Sequence, residues 1–164
     1  MRRNLVKTII IYGSKHNFTK DMAYELKERI SADVVDVKEK AKINFDEYDL
    51  VIVGTPIYMG RILKSISKFI NQNLEVLKKK KSAFFITGIG EPKEMTGLFE
   101  AQVNHDVFEH ASVIGHFGGE LRPDNAQFIM KAIVKRMLQE AKFNKEKNID
   151  EISIFVDKIK EIKA

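Results

Sequence analysis

A chain of 164 residues, 44% hydrophobic and 31% charged, is long enough to bury one core unaided, and its lack of cysteine excludes disulfides, thiolate metal sites and cysteine nucleophiles. Its formal charge of +5 is densest at Lys78-Lys79-Lys80-Lys81. That block could attract nucleic acid, but it directly precedes the apolar Ser82–Ile86 and reads as a solvated turn at a strand edge.

Leu5 to Tyr12 is an apolar run of strand length, continuous rather than alternating, as expected of a strand covered on both faces. It lacks the small-residue cleavage pattern of a signal peptide, and no run of about eighteen apolar residues follows anywhere, so a cytoplasmic protein without a transmembrane helix is expected. Phe18, Met22, Leu26 and Ile30 then recur every four residues and predict a helix with one buried face. Ala32–Val37 is shorter and more polar, an edge strand. Leu50–Gly54 is the next buried strand, followed by a helical stripe through Ile62, Ile66, Ile70 and Leu74.

Ala83–Thr87 and Ser112–Phe117 complete the strands. Phe99, Val103 and Val107 form a helical face between them, and Ile129, Ile133 and Met137 form another beyond them. The polar stretch Ala141–Lys147 joins that helix to a last one, where Ile152, Phe155, Ile159 and Ile162 align behind a capping box of Asn148 and Glu151. Strands alternating with helices predict a single α/β domain over residues 1–164: a three-layer sandwich with a five-stranded parallel sheet and right-handed crossovers. Ligand sites in such sheets lie beyond the carboxyl ends of the strands, which directs attention to the loops 13–19, 55–61 and 88–97.

The first loop, Gly13-Ser14-Lys15-His16-Asn17-Phe18-Thr19, leads from a strand into a helix, where unpaired N–H groups and the helix dipole favour an anion. Ser14 and Thr19 offer hydroxyls, Asn17 tolerates a left-handed turn, and Lys15 and His16 offer charge. Neither G-x-x-x-x-G-K-[ST] nor G-x-G-x-x-G is present, so one phosphate is the smallest claim; an ordinary polar turn is the alternative. In the second loop, Thr55-Pro56-Ile57-Tyr58-Met59-Gly60, Tyr58 can stack on a flat ring and Met59 can fill apolar space, or both can seal the core. Gly88-Ile89-Gly90-Glu91 brings backbone polar groups to the same side of the sheet, although tight turns alone would also explain its glycines.

Of the four histidines, His16, His105, His110 and His116, none forms a metal-ligand pattern with carboxylates, and His116 reads as a structural residue at the end of a strand. The aromatics follow burial patterns rather than a basic–aromatic platform, so nucleic-acid binding is not expected.

Ser14–Thr19 resembles the phosphate loop of flavodoxins, and Tyr48–Gly60 resembles their third strand and first flavin loop. Gly60-Arg61, together with Gly115-His116-Phe117-Gly118-Gly119-Glu120-Leu121, is similar to the flavodoxin-like branch that includes menaquinone-dependent protoporphyrinogen oxidase. The resemblance implies strand order 2-1-3-4-5 and noncovalent FMN, with phosphate on residues 14–19 and the isoalloxazine between loops 55–61 and 88–93. It also implies a peptide carbonyl near Met59-Gly60 facing flavin N5.

Two residues depart from the family's phosphate loop: His16 stands where a hydroxyl residue is usual, and Asn17 where glycine is usual. The implied function is electron transfer through the flavin to or from a protein partner, here an acidic one, or a quinone. Full protoporphyrinogen oxidase activity would call for a long insertion, but only about two dozen residues separate Gly88 from Ser112. A cofactor-free binding or signalling domain on the same scaffold is the remaining alternative.

Overall fold

A computed structural model describes residues 5–119 and 147–164. Its strands are β1 (Thr8–Tyr12), β2 (Asp33–Asp36), β3 (Leu50–Tyr58), β4 (Arg61–Ile62), β5 (Lys81–Thr87) and β6 (Val113–His116). Its helices are α1 (Phe18–Ile30), α2 (Lys64–Gln72), α3 (Leu74–Lys79), α4 (Pro92–Gln102), α5 (His105–His110) and α6 (Ile149–Lys163). The helix expected through Ile129, Ile133 and Met137 lies outside the described residues.

Five strands pair in parallel in the order β2-β1-β3-β5-β6, the expected arrangement, and the two-residue β4 adds an unforeseen antiparallel pairing on β3. Alternation of side chains sorts each strand between two cores. Ile9, Ile11, Val51, Val53, Phe84 and Ile86 face a layer built from α2, α3, α4 and α5, with Ile66, Phe69, Leu77, Phe99 and Val107 packed on them. Ile10, Tyr12, Ile52 and Phe85 face α1 and α6, through Leu26, Ile30, Phe155 and Ile159. Burial on both faces explains why these strands are continuous apolar runs, and each fully buried large apolar side chain stabilises the fold by roughly 1.5–3 kcal/mol.

Several boundaries differ from expectation. The first strand starts at Thr8, and Leu5 is 88% exposed, because Lys7 is already engaged outside the ladder: its N–H donates to the Asp49 carboxylate and its carbonyl accepts from Asp49 and Leu50. The stripe from Ile62 to Leu74 is divided among β4, α2 and α3, with Asn73 breaking the helix at φ −126°. Likewise, Phe99, Val103 and Val107 span two helices: Val103 is extended, and the Asn104 side chain caps α5 by accepting from the N–H groups of Asp106 and Val107. Of the capping box expected at the last helix one half forms: Asn148 accepts from the Glu151 N–H, while the Asn148 N–H donates to the Phe117 carbonyl.

Strand register brings the loops together. Tyr12 lies opposite Gly54, Gly54 opposite Phe85, and Ile86 opposite His116, so β1, β3, β5 and β6 all finish at one edge of the sheet.

Candidate functional site

At that edge a cavity of about 400 Å³ opens among all four strand ends, a size typical of small-ligand sites. Lys15, His16, Phe18 and Thr19 supply one wall, Pro56 to Gly60 a second, and Gly88 and Ile89 a third. The remaining predicted residues stand behind this lining. Ser14 and Asn17 belong to the turn under the first wall, Gly90 packs against Met95, and Glu91 holds the N-cap position of α4 without a side-chain hydrogen bond to the helix. The Thr55 hydroxyl donates to the Pro56 carbonyl and accepts from the Leu63 N–H.

Five lining residues were not among the expected cofactor contacts: Thr87, Glu94, Met95, Leu98 and Gly119. Met95 precedes Phe99 by one helical turn, so its buried face was legible, but its second exposure to the cavity depends on how α4 crosses the loop. Gly119 reaches the site only because β6 lies beside β5.

The first loop has the geometry of an anion cradle. Asn17 sits in the left-handed region at φ 66° and makes no side-chain cap to α1, leaving first-turn N–H groups directed outward. The Asn17 backbone thus adopts the shape that glycine supplies in the family loop. The Ser14 hydroxyl is buried and has no hydrogen-bond partner among the described residues, which costs free energy unless a ligand satisfies it. An FMN phosphate fits this donor set: hydroxyl, peptide N–H groups and the positive end of a thirteen-residue helix. Thr19 is less available, because its hydroxyl shares a buried 2.9 Å hydrogen bond with Thr87 that ties the first loop to the third.

The second loop is the tip of a hairpin rather than an open turn. β3 continues to Tyr58 and returns through β4, with Met59 and Gly60 both at positive φ, 52° and 76°, as a two-residue turn of right-twisted strands requires. Gln102 fastens the turn: its amide N–H donates to the Gly60 carbonyl at 2.8 Å, and its oxygen accepts from the Ile62 N–H. The Gly60 carbonyl is therefore already engaged. Lys15 Nζ lies 3.9 Å from the centre of the Tyr58 ring and His16 meets the same ring edge-on, so the basic loop closes over the aromatic wall.

The third loop is anchored from beneath. The Gly88 N–H donates to the Gly118 carbonyl at 2.8 Å, and buried His116 places Nε2 2.7 Å from the Gly88 carbonyl. Burial holds the His116 pKa below the ordinary value, outweighing the opposite influences of the Gly88 carbonyl and Glu151. The unfolded chain therefore takes up a proton near pH 6.5 before the folded chain does. Stability from this residue should be complete above that pH and fall as pH drops through the window below it, with a limiting slope of about 1.4 kcal/mol per pH unit. Denaturant titrations between pH 7 and 5 should show this fall, and a folded His116→Gln variant should lack that contribution.

Among the described residues, no cluster of metal-ligating side chains occurs, and no helix is long and apolar enough to cross a membrane.

Residues 9–148 match the flavodoxin domain family. An uncharacterised protein of Methanocaldococcus jannaschii is 31% identical over 88 residues, covering 53% of this chain and 57% of that protein. The Escherichia coli protein named protoporphyrinogen IX dehydrogenase (quinone) is 29% identical over 85 residues, 49% of this chain and 47% of its own length. The matches thus span about half the length of these relatives. A crystal structure of a Lactobacillus acidophilus flavoprotein in complex with FMN superposes with TM-score 0.53 at 18% identity, covering 68% of this chain and 93% of that one. Family match, strand order and the three converging loops agree, and the chain belongs to the flavodoxin domain family.

Proposed function

We propose that this protein binds FMN noncovalently in the strand-end cavity and transfers electrons between its ring and a protein or quinone partner. The observation that carries the reading is the junction of an anion cradle, with the orphaned Ser14 hydroxyl, and an aromatic-walled cavity beside Tyr58. When bound, the flavin supplies the redox chemistry, accepting and releasing electrons singly or in pairs. The protein's part is to hold it. Ser14 and the peptide groups at Asn17–Thr19 would take the phosphate, Tyr58 and Met59 would pack along the ring, and the Gly88-Ile89 backbone would meet its polar edge.

Exposed Lys15, His16 and Arg61 beside the cavity favour an acidic partner, whose complementary charge would speed encounter. The region from Gly88 to Ser112 is occupied by α4 and α5, each packed into the core through Phe99 and Val107, which favours a carrier or small reductase over an enzyme with a broad insertion for a tetrapyrrole. We place this activity in the cytoplasm.

Titration with FMN, followed by quenching of flavin fluorescence, tests the reading: saturable one-to-one binding is expected, and none would leave the cofactor-free alternative. Ser14→Ala should weaken FMN about tenfold or more by removing a hydrogen bond to a charged group, while riboflavin, which lacks the phosphate, should bind as it does to the unaltered protein. Equal losses for both flavins would remove Ser14 from the phosphate site.

A further inference from the structure

His116 lies under the cavity's third wall, with its ring fully within the protein. The 2.7 Å approach of Nε2 to a carbonyl oxygen is favourable only if that nitrogen carries hydrogen, which makes Nδ1 the bare nitrogen of the neutral ring. Nδ1 is buried without a partner among the described residues. An apolar ring of similar size would avoid that cost, so filling space is a poor account of a histidine here. What histidine supplies, and such a ring does not, is the hydrogen bond to Gly88.

That bond fixes more than one oxygen. The described peptides are all trans, and in a trans peptide the Gly88 carbonyl and the Ile89 N–H point in opposite directions. Holding the carbonyl on His116 turns the Ile89 N–H away from it. This N–H has no backbone partner among the described residues, and both Gly88 and Ile89 line the cavity. On its other side, the Gly88 N–H is held by the Gly118 carbonyl, so the peptide is gripped from two directions.

We infer that His116 is a positioning residue that aims the Ile89 N–H into the cavity as the hydrogen-bond donor for a carbonyl on the edge of a flat heteroaromatic ring. The identity of that ring as flavin rests on the function proposed above. His116 touches no ligand itself; it acts through the peptide.

His116→Phe keeps the ring volume and removes the donor, whereas His116→Gln places an amide N–H at about the reach of Nε2. With folding checked by thermal unfolding, the Phe variant should lose about tenfold in affinity for FMN and riboflavin alike, because the lost contact is to the ring and not the phosphate. The Gln variant should recover most of this loss. In nitrogen–proton correlation spectra, riboflavin should shift the Ile89 amide in the unaltered and Gln proteins but not in the Phe variant. If Phe prevents folding, His116→Asn, polar but too short to reach the carbonyl, carries the same expectation.

A folded Phe or Asn variant with unaltered affinity for both flavins and an unaltered Ile89 shift would overturn the inference. A loss confined to FMN would also overturn it, by placing the effect at the phosphate. Failure of the unaltered protein to bind either flavin would instead bring down the FMN reading, and this inference with it, before any variant is made.

Discussion

Gly54→Ala is expected to destabilise the protein by about 3 kcal/mol, the upper part of the overpacking range, and to lower its melting temperature by roughly 6–12 °C. Gly54 lies in the central strand β3, directly opposite Phe85 of β5. A Cβ there would stand 2.0 Å from Phe85 Cζ and within 2.5 Å of both neighbouring ring carbons. The ring has little room to retreat, being stacked on Phe117 at 4.9 Å and 10°, with Phe155 meeting Phe117 edge-on at 5.1 Å. The missing side chain at position 54 is thus the space into which this aromatic cluster is packed.

Calorimetry on Gly54→Ala, Phe85→Leu and the double variant separates this cause from a general strand effect. The smaller leucine should accommodate the new methyl, so the double variant should be more stable than the two single losses added together. A Gly54→Ala protein that melts within about 2 °C of the unaltered one would show that the aromatic cluster has slack enough to take a methyl group.

The same packing shows which parts of the fold were legible in the residues. Strands buried on both faces announce themselves as apolar runs, and α1 as a four-residue stripe, because in each case one local period reports one burial pattern. Pro56 hid the true length of β3. Proline ordinarily argues against a central strand, but β1 ends at Tyr12 opposite Gly54, so on that side Pro56 has no ladder partner whose hydrogen bond its missing N–H would lose, while on the other it still lies opposite Thr87.

The stripe through Ile62 concealed a hairpin for a different reason: a fourfold spacing is preserved when its first member is in β4, the next two are in α2 and the last begins α3. Within the site, the three loops were visible as turn chemistry. Met95, Leu98 and Gly119 were not, since they come to the cavity by the crossing of α4 and the adjacency of β6, which no local pattern encodes.

Gly119→Val should reduce flavin affinity by roughly tenfold or more while leaving a folded protein, and its effect should fall equally on FMN and riboflavin. A Cβ at residue 119 would lie 2.8 Å from the Gly88 carbonyl carbon and 3.1 Å from Gly88 Cα and O. These are backbone atoms, so no rotamer change can relieve the contact. Nor can Gly88 move back freely: its N–H is on Gly118, its carbonyl is on His116, and the space where its own side chain would stand lies 2.8 Å from the Ile57 carbonyl oxygen.

Relief therefore requires the third wall of the cavity to shift as a unit, displacing the Gly88-Ile89 peptide from the ring edge it is proposed to meet. Gly97→Ala provides the matched control. Its Cβ would meet nothing within 4 Å, and alanine in a helix interior should add about 0.5–1 kcal/mol of stability without altering affinity. Flavin titrations of both variants decide the matter: a Gly119→Val protein that binds both flavins as tightly as Gly97→Ala would mean that the third wall is not part of the ring site.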